Sequence, residues 1–575
     1  MKKNLRMAVT AALTLGVVSL GGVQAFAADE DRTADEHMLG ETVVTATRTP
    51  NKELKANANI TVITGKDIER RHYTDLTQAL RDVPGVTVNQ YGPAGYNNSN
   101  NIYINGSSDV VILVDGVRQN YAGGSGASLA SALKDLSGVD RIEVLHGSAS
   151  TLYGSDAKGG VINIITKKAQ GMKTTLGIGY GSYSRQQYSI ANAGGENGWD
   201  WRVKYQKDKS GDFKDAHGNQ TPSHLDADSI HLHLGKQLSK ASYLSLNYRS
   251  YKDSDRYQAR YEKEMGLYVN RGNYDHFDGS LIWNVQLDDT AKNQMSISRS
   301  KYAYDLHQFS AFTMPAGTLY EYDIQTYKFS DQFDKQLGDH LLTAGFEFTK
   351  DDTTNKSKGL ATINDRTLIN RSFYLQDQWS ILPTLKLTAG IRHDSNSSFG
   401  SHSSPSVSLG YDIDPMTHAY ASYSAYFITP TPSQLYAPSY GNPNLKPESG
   451  HTKEFGIARD FGRGLSLTAS YFMRHSKNRI GYHPVTYVNI NVGDEDAHGW
   501  SLQLDKRVDS HWRARVGYTQ THTGKTEQYG VNIDGILPRD QWNIGVDYRN
   551  RDFDSSLLAR GMVGLEGPSD AIGKF

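Results

Sequence analysis

The feature that most constrains this chain is a period-two alternation of apolar and polar residues, which begins near Gly171 and recurs through most of the C-terminal two thirds of the sequence. Successive side chains of a β-strand point to opposite faces, so each run predicts a strand with one apolar and one polar face. The clearest runs are residues 244–249, 385–392, 465–471, 512–519 and 542–549. Full charges occupy polar positions inside runs, as at Arg513, Arg515 and Arg549. Aromatic residues lie near run ends: Tyr248, Tyr251, Tyr426, Phe427, Trp512 and Tyr518.

Alternation alone does not identify what the apolar face meets. In a soluble sandwich the apolar faces of two sheets meet each other, whereas in an outer-membrane barrel they meet lipid around a polar lumen. The mid-run charges, the terminal aromatics and a run length of about ten residues, enough for a tilted strand to cross a bilayer, favour the barrel. Because backbone groups in lipid must all be hydrogen-bonded, such a sheet must close.

The width of this barrel implies a second domain inside it. About 20 runs can be counted, and a barrel of about 22 strands is wide enough to need a plug. The preceding residues read as a compact α+β domain, with a helix at 66–81, a stop at 83–86 and short β-rich runs up to residue 165. We therefore predict an all-β transmembrane barrel of about 20–22 antiparallel strands, residues 171–575, around an N-terminal α+β plug domain, residues 51–170.

The N-terminus predicts export from the cytoplasm. Lys2, Lys3 and Arg6 precede an apolar stretch at 7–20 and a small-x-small site at 25–27. This order is typical of a cleaved signal peptide, here residues 1–27, and the apolar stretch is short for the alternative, a retained membrane anchor. Residues 28–50 then form a periplasmic extension, and the predicted location is the outer membrane of a diderm bacterium.

Composition excludes several other classes. Only 37% of the 575 residues are hydrophobic and the one long apolar run is N-terminal, so a bundle of transmembrane helices is excluded. The net charge of -1 lacks the basic excess typical of nucleic-acid binding. Cysteine is absent, so disulfides and thiolate sites are excluded. No phosphate-binding loop, catalytic triad or carboxylate pair can be assigned, and no enzymatic activity is predicted.

Residues 41–46 (ETVVTA) form a short β-favouring segment after a polar, acidic stretch. Such a segment can add to the sheet edge of a partner protein through backbone hydrogen bonds. It can equally be an ordinary first strand of the plug, and the residues alone leave both interpretations open.

Four segments together resemble one family. Residues 41–46 are similar to the TonB box of TonB-dependent outer-membrane receptors, and residues 112–118 (ILVDGVR) to a plug strand and turn of that family. Residues 140–167 (DRIEVLHGSASTLYGSDAKGGVINIITK) match its most specific plug motif, and residues 441–448 (GNPNLKPE) resemble a late barrel segment. The chain most resembles the branch of cobalamin, colicin I and catecholate-siderophore receptors.

The resemblance implies active import of a scarce metal chelate, with a ferric siderophore as first choice and cobalamin or haem as alternatives. A passive porin-like channel or an adhesin is the alternative of a different class. The implied partners are TonB with its inner-membrane energising complex, outer-membrane lipid and the chelate, with no nucleic acid and a monomeric receptor. The TonB-binding residues would be Glu41, Thr42, Val43, Val44, Thr45 and Ala46. The order of segments predicts that a pull on this box acts on the plug and not on the barrel.

Two plug segments, 91–98 and 118–128, mix Tyr, Asn and Gly, which suits stacking on and hydrogen bonding to a polar ligand, although flexible loops share this composition. The predicted substrate-binding residues are Tyr91, Tyr96, Asn97, Arg118 and Tyr121.

Asp208, Asp212 and Asp215 could supply oxygen ligands for calcium in an early extracellular loop, and calcium is the single cofactor that the sequence suggests. A solvated acidic loop is the alternative, and the spacing is not that of an EF-hand. Haem receptors of the family carry an axial histidine between an FRAP-like box and the NPNL segment. No histidine lies between residues 427–430 and Asn444 here, which leaves His72, His146 and His418 as individual candidates.

The last residues, 564–575, contain Gly and Pro and are a poor membrane strand, although Phe575 is aromatic. We therefore expect a barrel that lacks its last strands.

Overall fold

The computed structural model describes residues 42–89, 101–120, 136, 138–169, 171–214, 218, 220–262, 266–309, 317–357, 363–437, 440–483, 485–524, 537–551 and 553–566. The predicted signal peptide, Glu41 and the last nine residues lie outside this set.

The plug consists of short strands and helices. They are β1 Thr42–Val43, β2 Asn51–Lys52, β3 Ile60–Thr64, α1 Gly65–Arg70, α2 Leu76–Leu80, β4 Val86–Asn89, β5 Asn101–Ile104, β6 Val110–Val114, β7 Val117–Arg118, β8 Val139–His146, α3 Ser150–Tyr153 and β9 Gly160–Thr166. A five-stranded mixed sheet in the order β3-β8-β9-β6-β7 forms its centre, in which β6 and β9 run parallel. Two short ribbons, β1-β2 and β4-β5, complete it. The core side chains include Leu76, Leu80, Ile102, Ile112, Ile142 and Ile162.

The single helix predicted at 66–81 is wrong, because the chain breaks there into α1 and α2. His72 adopts a left-handed conformation (φ 54°), which ends α1. Asp75 then caps α2 by accepting a hydrogen bond from the Gln78 amide at 2.9 Å. An aspartate at this position favours a new helix start over continuation, a local preference that the apolar spacing did not reveal.

The barrel is one antiparallel sheet of 19 strands in the described part of the chain. The strands are β10 Gly171–Gly181, β11 Arg185–Glu196, β12 Trp199–Ser210, β15 Leu225–Ser239, β16 Ser242–Glu262, β17 Gly266–Asp288, β18 Ala291–Phe309, β19 Gly317–Leu337, β20 His340–Ser357, β21 Ile363–Leu382, β22 Leu385–Asn396, β23 Gly400–Asp414, β24 Thr417–Ile428, β25 Glu448–Asp460, β26 Leu465–Lys477, β29 Glu495–Arg507, β30 Trp512–Thr523, β31 Leu537–Arg549 and β32 Asp554–Glu566. Each of these strands is bonded to the next barrel strand in sequence. Two hairpins, β13 Phe213–Lys214 with β14 Gln220–Thr221 and β27 Ile480–Tyr482 with β28 Asn489–Asn491, and a helix, α4 Pro432–Tyr436, lie in the longer loops.

The predicted fold class is confirmed, with a strand count slightly below the expected range. Strands β10 and β32 are the two ends of the sheet, and no ladder joins them among the described residues. Residues 567–575 lie outside the described part, so the expectation of missing final strands stays a prediction.

The alternation places apolar side chains on the outer face and charged ones in the lumen. Trp542 and Ile544 on β31 are each 46% exposed, while Asp547 on the same strand is 2% exposed. Inside, Arg515 pairs with Asp505 at 2.8 Å. Turns are short at the end where the plug joins β10 and longer at the other, so the former is the periplasmic end.

The described helices of the protein are all too short or too polar to span a bilayer.

The plug lies in the lumen. Helix α3 packs on β22, β23 and β24, and α1 on β32, whose Leu558 contacts the plug core. On the β30–β31 side, Arg71 of the plug pairs with Asp547 at 2.9 Å.

An arginine on the lipid face should destabilise the barrel far more than one facing the lumen. Leu502 points outward and Gln503 inward, where Asp505 offers a partner. We expect Leu502→Arg to lower the free energy of unfolding by about 2–4 kcal/mol, and Gln503→Arg to change it little. Urea unfolding after refolding into phospholipid vesicles measures both, and equal losses in the two variants would contradict the assigned faces.

Candidate functional site

The N-terminal segment 42–49 lies between the plug and the barrel wall. Thr42 and Val43 pair with Lys52 and Asn51 as a two-residue ribbon, and Val43 and Thr45 have no exposed surface. Of the residues predicted to bind a partner, Val43 and Thr45 are therefore buried in the receptor, Thr42 is exposed, and Glu41 lies outside the described residues.

One plug carboxylate holds the middle of this segment. The Glu143 Oε2 atom accepts hydrogen bonds from the Val44 amide at 2.9 Å, the Thr45 amide at 2.8 Å and the Thr45 hydroxyl at 2.6 Å. Its Oε1 atom accepts from Arg141 Nε at 2.8 Å, which orients the carboxylate. On the other side of the chain, the Tyr153 hydroxyl donates to the Thr45 carbonyl at 2.9 Å. Both the amide and the carbonyl of Thr45 are thus hydrogen-bonded to plug side chains.

The next residues are bonded to the wall. Gln376 on β21 donates to the Thr47 carbonyl at 3.1 Å, and Gln378 donates to the Thr49 hydroxyl at 2.8 Å. Arg48 donates to Glu347 on β20 at 3.1 Å. Residues 47–49, directly after the box, are therefore attached to the barrel, whereas residues 44 and 45 are bonded to the plug. That a pull on the box acts on the plug and not on the barrel stays a prediction.

Glu347 is the centre of a buried charge cluster on the wall. It contacts Arg48 of the plug, Lys328 at 3.2 Å and Arg392 at 2.9 Å. Burial alone would lower the pKa of Arg48, but Tyr374 and Glu347 outweigh it and hold the pKa above its ordinary value, so the guanidinium stays charged. Glu347 was not among the residues predicted from the sequence. The sequence feature that could have identified Glu347 is its position between Phe346 and Phe348. In a strand, this places the carboxylate on the face opposite to the two aromatic side chains.

A second buried cluster joins two of the segments that carry the family resemblance. Lys158 of the plug motif contacts Glu448, the end of the GNPNLKPE segment, at 3.0 Å, and Asp109 at 2.8 Å. Arg479 shares Glu448 at 3.1 Å. Both segments were recognised in the sequence, but their contact was not predicted.

Of the predicted substrate-binding residues, Arg118 is described. It donates to the Ser155 carbonyl at 3.2 Å and pairs with Asp156. Tyr91, Tyr96, Asn97 and Tyr121 lie outside the described residues. A role in substrate binding stays a prediction for all five.

The predicted calcium ligands do not converge in the described ranges. Asp208 accepts hydrogen bonds from Gln187 and Gln206, while Asp212 accepts one from the Ser223 amide. Asp215 lies outside the described residues, and none of the His, Cys, Asp or Glu side chains within them form a three-ligand metal cluster. Calcium binding stays a prediction.

The three histidine candidates occupy unlike positions. His72 is exposed at the end of α1. His146 is buried in β8, and burial lowers its pKa to about 4, so the imidazole is neutral. His418 on β24 contacts Asp412 at 2.7 Å and Asn57 at 3.1 Å.

The protein is an outer-membrane β-barrel closed by a plug: its outer face is apolar, its lumen is polar, and the N-terminal domain is folded inside it. The family model described as "TonB dependent receptor-like, beta-barrel" matches residues 170–567, and the model "TonB-dependent Receptor Plug Domain" matches residues 52–161. The chain belongs to the TonB-dependent receptor family, and it is an outer-membrane protein.

Individual relatives agree with this assignment. An iron-regulated outer membrane virulence protein of Vibrio cholerae serotype O1 is 28% identical over 95% of this chain and 86% of its own. Among solved structures, a mutant of the ferric enterobactin receptor PfeA from Pseudomonas aeruginosa has a TM-score of 0.76 at 20% identity, over 92% of this chain and 88% of its own. The siderophore receptor PirA from Acinetobacter baumannii has a TM-score of 0.74 at 18% identity, over 90% and 88%. At these identities the structures show that the fold is shared.

Removing the charge of Glu143 should loosen the box. Hydrogen bonds to a charged group contribute about 1.5–3 kcal/mol, so Glu143→Gln should raise the rate of maleimide labelling at Val43→Cys by roughly tenfold. The chain has no native cysteine, so all label reports on residue 43.

The matched control for this labelling experiment is Glu69→Gln, which neutralises a plug carboxylate whose side chain is 70% exposed and remote from the box. Labelling at the same rate in both variants and the parent would show that Glu143 does not hold the segment.

Proposed function

We propose that the protein imports a ferric siderophore across the outer membrane, driven by TonB and its inner-membrane energising complex. One observation carries the proposal: segment 42–49 is held by side-chain hydrogen bonds both to the plug and to the wall, at the periplasmic side of a filled barrel. A partner that pulls this segment out therefore acts on both the plug and the barrel wall. Separation of the plug from the wall opens a passage.

The local structure suits pairing with TonB through residues 41–46. Thr42 and Val43 are already extended, and only two residue pairs join them to β2. The amides of Val44 and Thr45 are satisfied by Glu143 and not by a strand. On one edge of an extended segment every second residue donates its amide, so a partner strand that offers carbonyl groups can take the place of Glu143 at one of these two amides.

The contents of the lumen disfavour a passive channel. Arg71–Asp547, Lys158–Glu448 and Arg48–Glu347 are ion pairs between plug and wall, with side chains at most 17% exposed. Removing one partner from a buried pair costs several kcal/mol, so spontaneous opening by separation of these charges is rare. Import therefore needs an energy source, which supports TonB-dependent transport over a porin or an adhesin.

A ferric siderophore is the substrate class that the relatives support. The Vibrio cholerae relative is named as iron-regulated, and the structural neighbours are named as ferric enterobactin and siderophore receptors. Ferric catecholate chelates are anionic, and Arg118, which pairs with Asp156 in this state, is the one cationic residue among the five predicted to bind substrate. We propose that the receptor works as a monomer surrounded by outer-membrane lipid.

Uptake in a strain that lacks the gene, with and without a plasmid copy, tests the function. We expect radioiron from ferric enterobactin to accumulate only with the plasmid, and a protonophore to abolish accumulation but not surface binding. Cobalamin and haem, each supplied as the limiting nutrient, are the parallel arms. Uptake that persists with the protonophore would contradict energy coupling, and growth on cobalamin or haem alone would reassign the substrate.

Within the box, Val44→Pro should separate binding from transport. Proline has no amide hydrogen and cannot donate to a partner strand, so we expect uptake to fall to the background of the deletion strain while ferric enterobactin still binds. Val44→Ala keeps the amide and should retain uptake. If the two variants transport equally well, residues 41–46 do not pair with TonB as a strand.

A further inference from the structure

Four cationic side chains point outward from strands β18–β21, towards the lipid. They are Arg299, Lys301, Lys350 and Arg371, here called the cationic belt. Side chains two residues apart in a strand share a face, so Arg299 and Lys301 lie on the face of Ile297, which is 56% exposed. Arg371 likewise lies on the face of Phe373, which is 61% exposed. Lys350 lies on the face of β20 opposite to the buried Glu347.

The cationic belt lies where the strands leave the hydrocarbon on the extracellular side. Lys301, Lys350 and Arg371 are each about ten residues from the periplasmic end of their strands, which are at Ala291, His340 and Leu382. A tilted strand needs about 9–11 residues to cross the bilayer core. Arg299 lies two residues closer to the periplasm than Lys301, and its long side chain can extend to the same level. The belt is therefore at the depth of the headgroups of the outer leaflet.

The two arginines of the belt have no carboxylate partner. Lys301 pairs with Asp323 at 3.2 Å and Lys350 with Asp352 at 2.7 Å, and both carboxylates lie further towards the extracellular side than their lysines. Arg299 and Arg371 are exposed, and neither forms an ion pair with a residue in the described ranges. The protein thus leaves two guanidinium charges without a counter-ion at this depth.

Aromatic rings hold these two guanidinium groups in place. Arg299 Cζ lies 5.4 Å from the ring centre of Phe277 and 5.3 Å from that of Tyr327. Arg371 Cζ lies 5.9 Å from the ring centre of Phe348. A guanidinium group that stacks on a ring loses less conformational freedom when it binds an anion, and its planar fork of N–H groups matches the oxygens of a phosphate.

An aromatic tract lies on the periplasmic side of the belt, on the same outer face. It consists of Phe329, Phe346 and Phe373, one from each of β19, β20 and β21. The ring centres are 6.2 Å apart between Phe329 and Phe346, and 4.8 Å apart between Phe346 and Phe373. The tract lies within the apolar band, where it meets acyl chains. A lipid with an anionic headgroup contacts the belt and the tract together, whereas a free anion contacts the belt alone.

We propose that the cationic belt and the aromatic tract form a binding site for a phosphorylated glycolipid of the outer leaflet. Lipid A, the anchor of lipopolysaccharide, carries phosphates on its sugars directly next to its acyl chains. Its phosphates accept hydrogen bonds from Arg299 and Arg371, since guanidinium groups bind phosphate through two parallel N–H groups. Its acyl chains pack on the tract. The site is on the outside of the wall and is independent of the imported substrate.

Titration of the purified full-length receptor with lipid A, followed by native mass spectrometry, tests the site. We expect Arg299→Gln/Arg371→Gln to weaken binding roughly tenfold or more, because charge-assisted hydrogen bonds are lost. The matched control is Lys207→Gln/Lys252→Gln, which removes two other outward charges that are already paired with Asp228 at 2.8 Å and Asp275 at 3.0 Å. The control should bind lipid A as tightly as the parent.

A second arm uses the parent alone, so that misfolding of a variant cannot explain its result. Lipid A from which the phosphates have been removed should bind at least roughly tenfold more weakly than intact lipid A. Phosphatidylglycerol should bind more weakly than intact lipid A, because it lacks the phosphorylated sugars. Inorganic phosphate should not displace bound lipid A, because it makes no contact with the aromatic tract.

Three results would overturn the site. Equal binding of lipid A by the parent and the arginine variant shows that the belt does not hold it, and equal losses in the arginine and lysine variants show an effect of general surface charge. Undiminished binding of dephosphorylated lipid A shows that phosphate is not the recognised group. Equal binding of phosphatidylglycerol, or displacement of lipid A by inorganic phosphate, rules out a site for a phosphorylated glycolipid.

Discussion

The physical constraint on which this structure depends is the absence of water in the bilayer. Every backbone group that crosses lipid must be bonded within the protein, and outward side chains must be apolar. Strict alternation then leaves the inward positions as the only place for polar and charged side chains on the membrane-spanning strands. The plug therefore meets a wall of polar groups, and its interface with the barrel consists of ion pairs and hydrogen bonds such as Arg71–Asp547 and Gln376–Thr47.

A polar interface has a mechanical consequence that an apolar one would lack. Buried ion pairs contribute little net stability because desolvation offsets their attraction, but they fix one arrangement and are lost when one partner moves away. The plug is accordingly placed in a defined register. In the described residues, Leu558 of the barrel packs against the main plug core and Tyr374 belongs to a second, smaller apolar cluster of the plug. The polar contacts between plug and wall occur at β20–β21, at β22–β25 and at β30–β32, as in Gln376–Thr47, Lys55–Asp412 and Arg71–Asp547.

The barrel could be predicted from the sequence because its signal is periodic. Runs such as 542–549 predict which residues face lipid. In the structure Trp542 is exposed and Asp547 is buried, as expected. The plug was predicted from its position and from family resemblance. The sequence did not predict which residues of the plug and the barrel contact one another. Nothing in the pattern around Glu143 points to residues 44 and 45, which lie about a hundred positions earlier, and nothing around Glu347 points to Arg48. A charged residue that faces the lumen can be recognised in the sequence because it interrupts the apolar residues of a strand. Which residue pairs with it depends on how the plug and the barrel pack together. The break of the predicted helix at His72 has a similar origin, because a capping aspartate at position 75 outweighs the apolar spacing.

Residues 44 and 45 of the N-terminal segment are held in a different way from a strand in a sheet. A strand bonded along its length gives up its hydrogen bonds one pair at a time, and each remaining pair lets it close again. The amides of residues 44 and 45 instead donate to a single oxygen of Glu143, which accepts three hydrogen bonds and is itself positioned by Arg141. Displacement of that one carboxylate frees both amides and the Thr45 hydroxyl together, and in an extended segment these two amides face opposite edges. In the proposed function, a partner strand binds one of these amides, so the partner that competes with Glu143 for it also stabilises the released state.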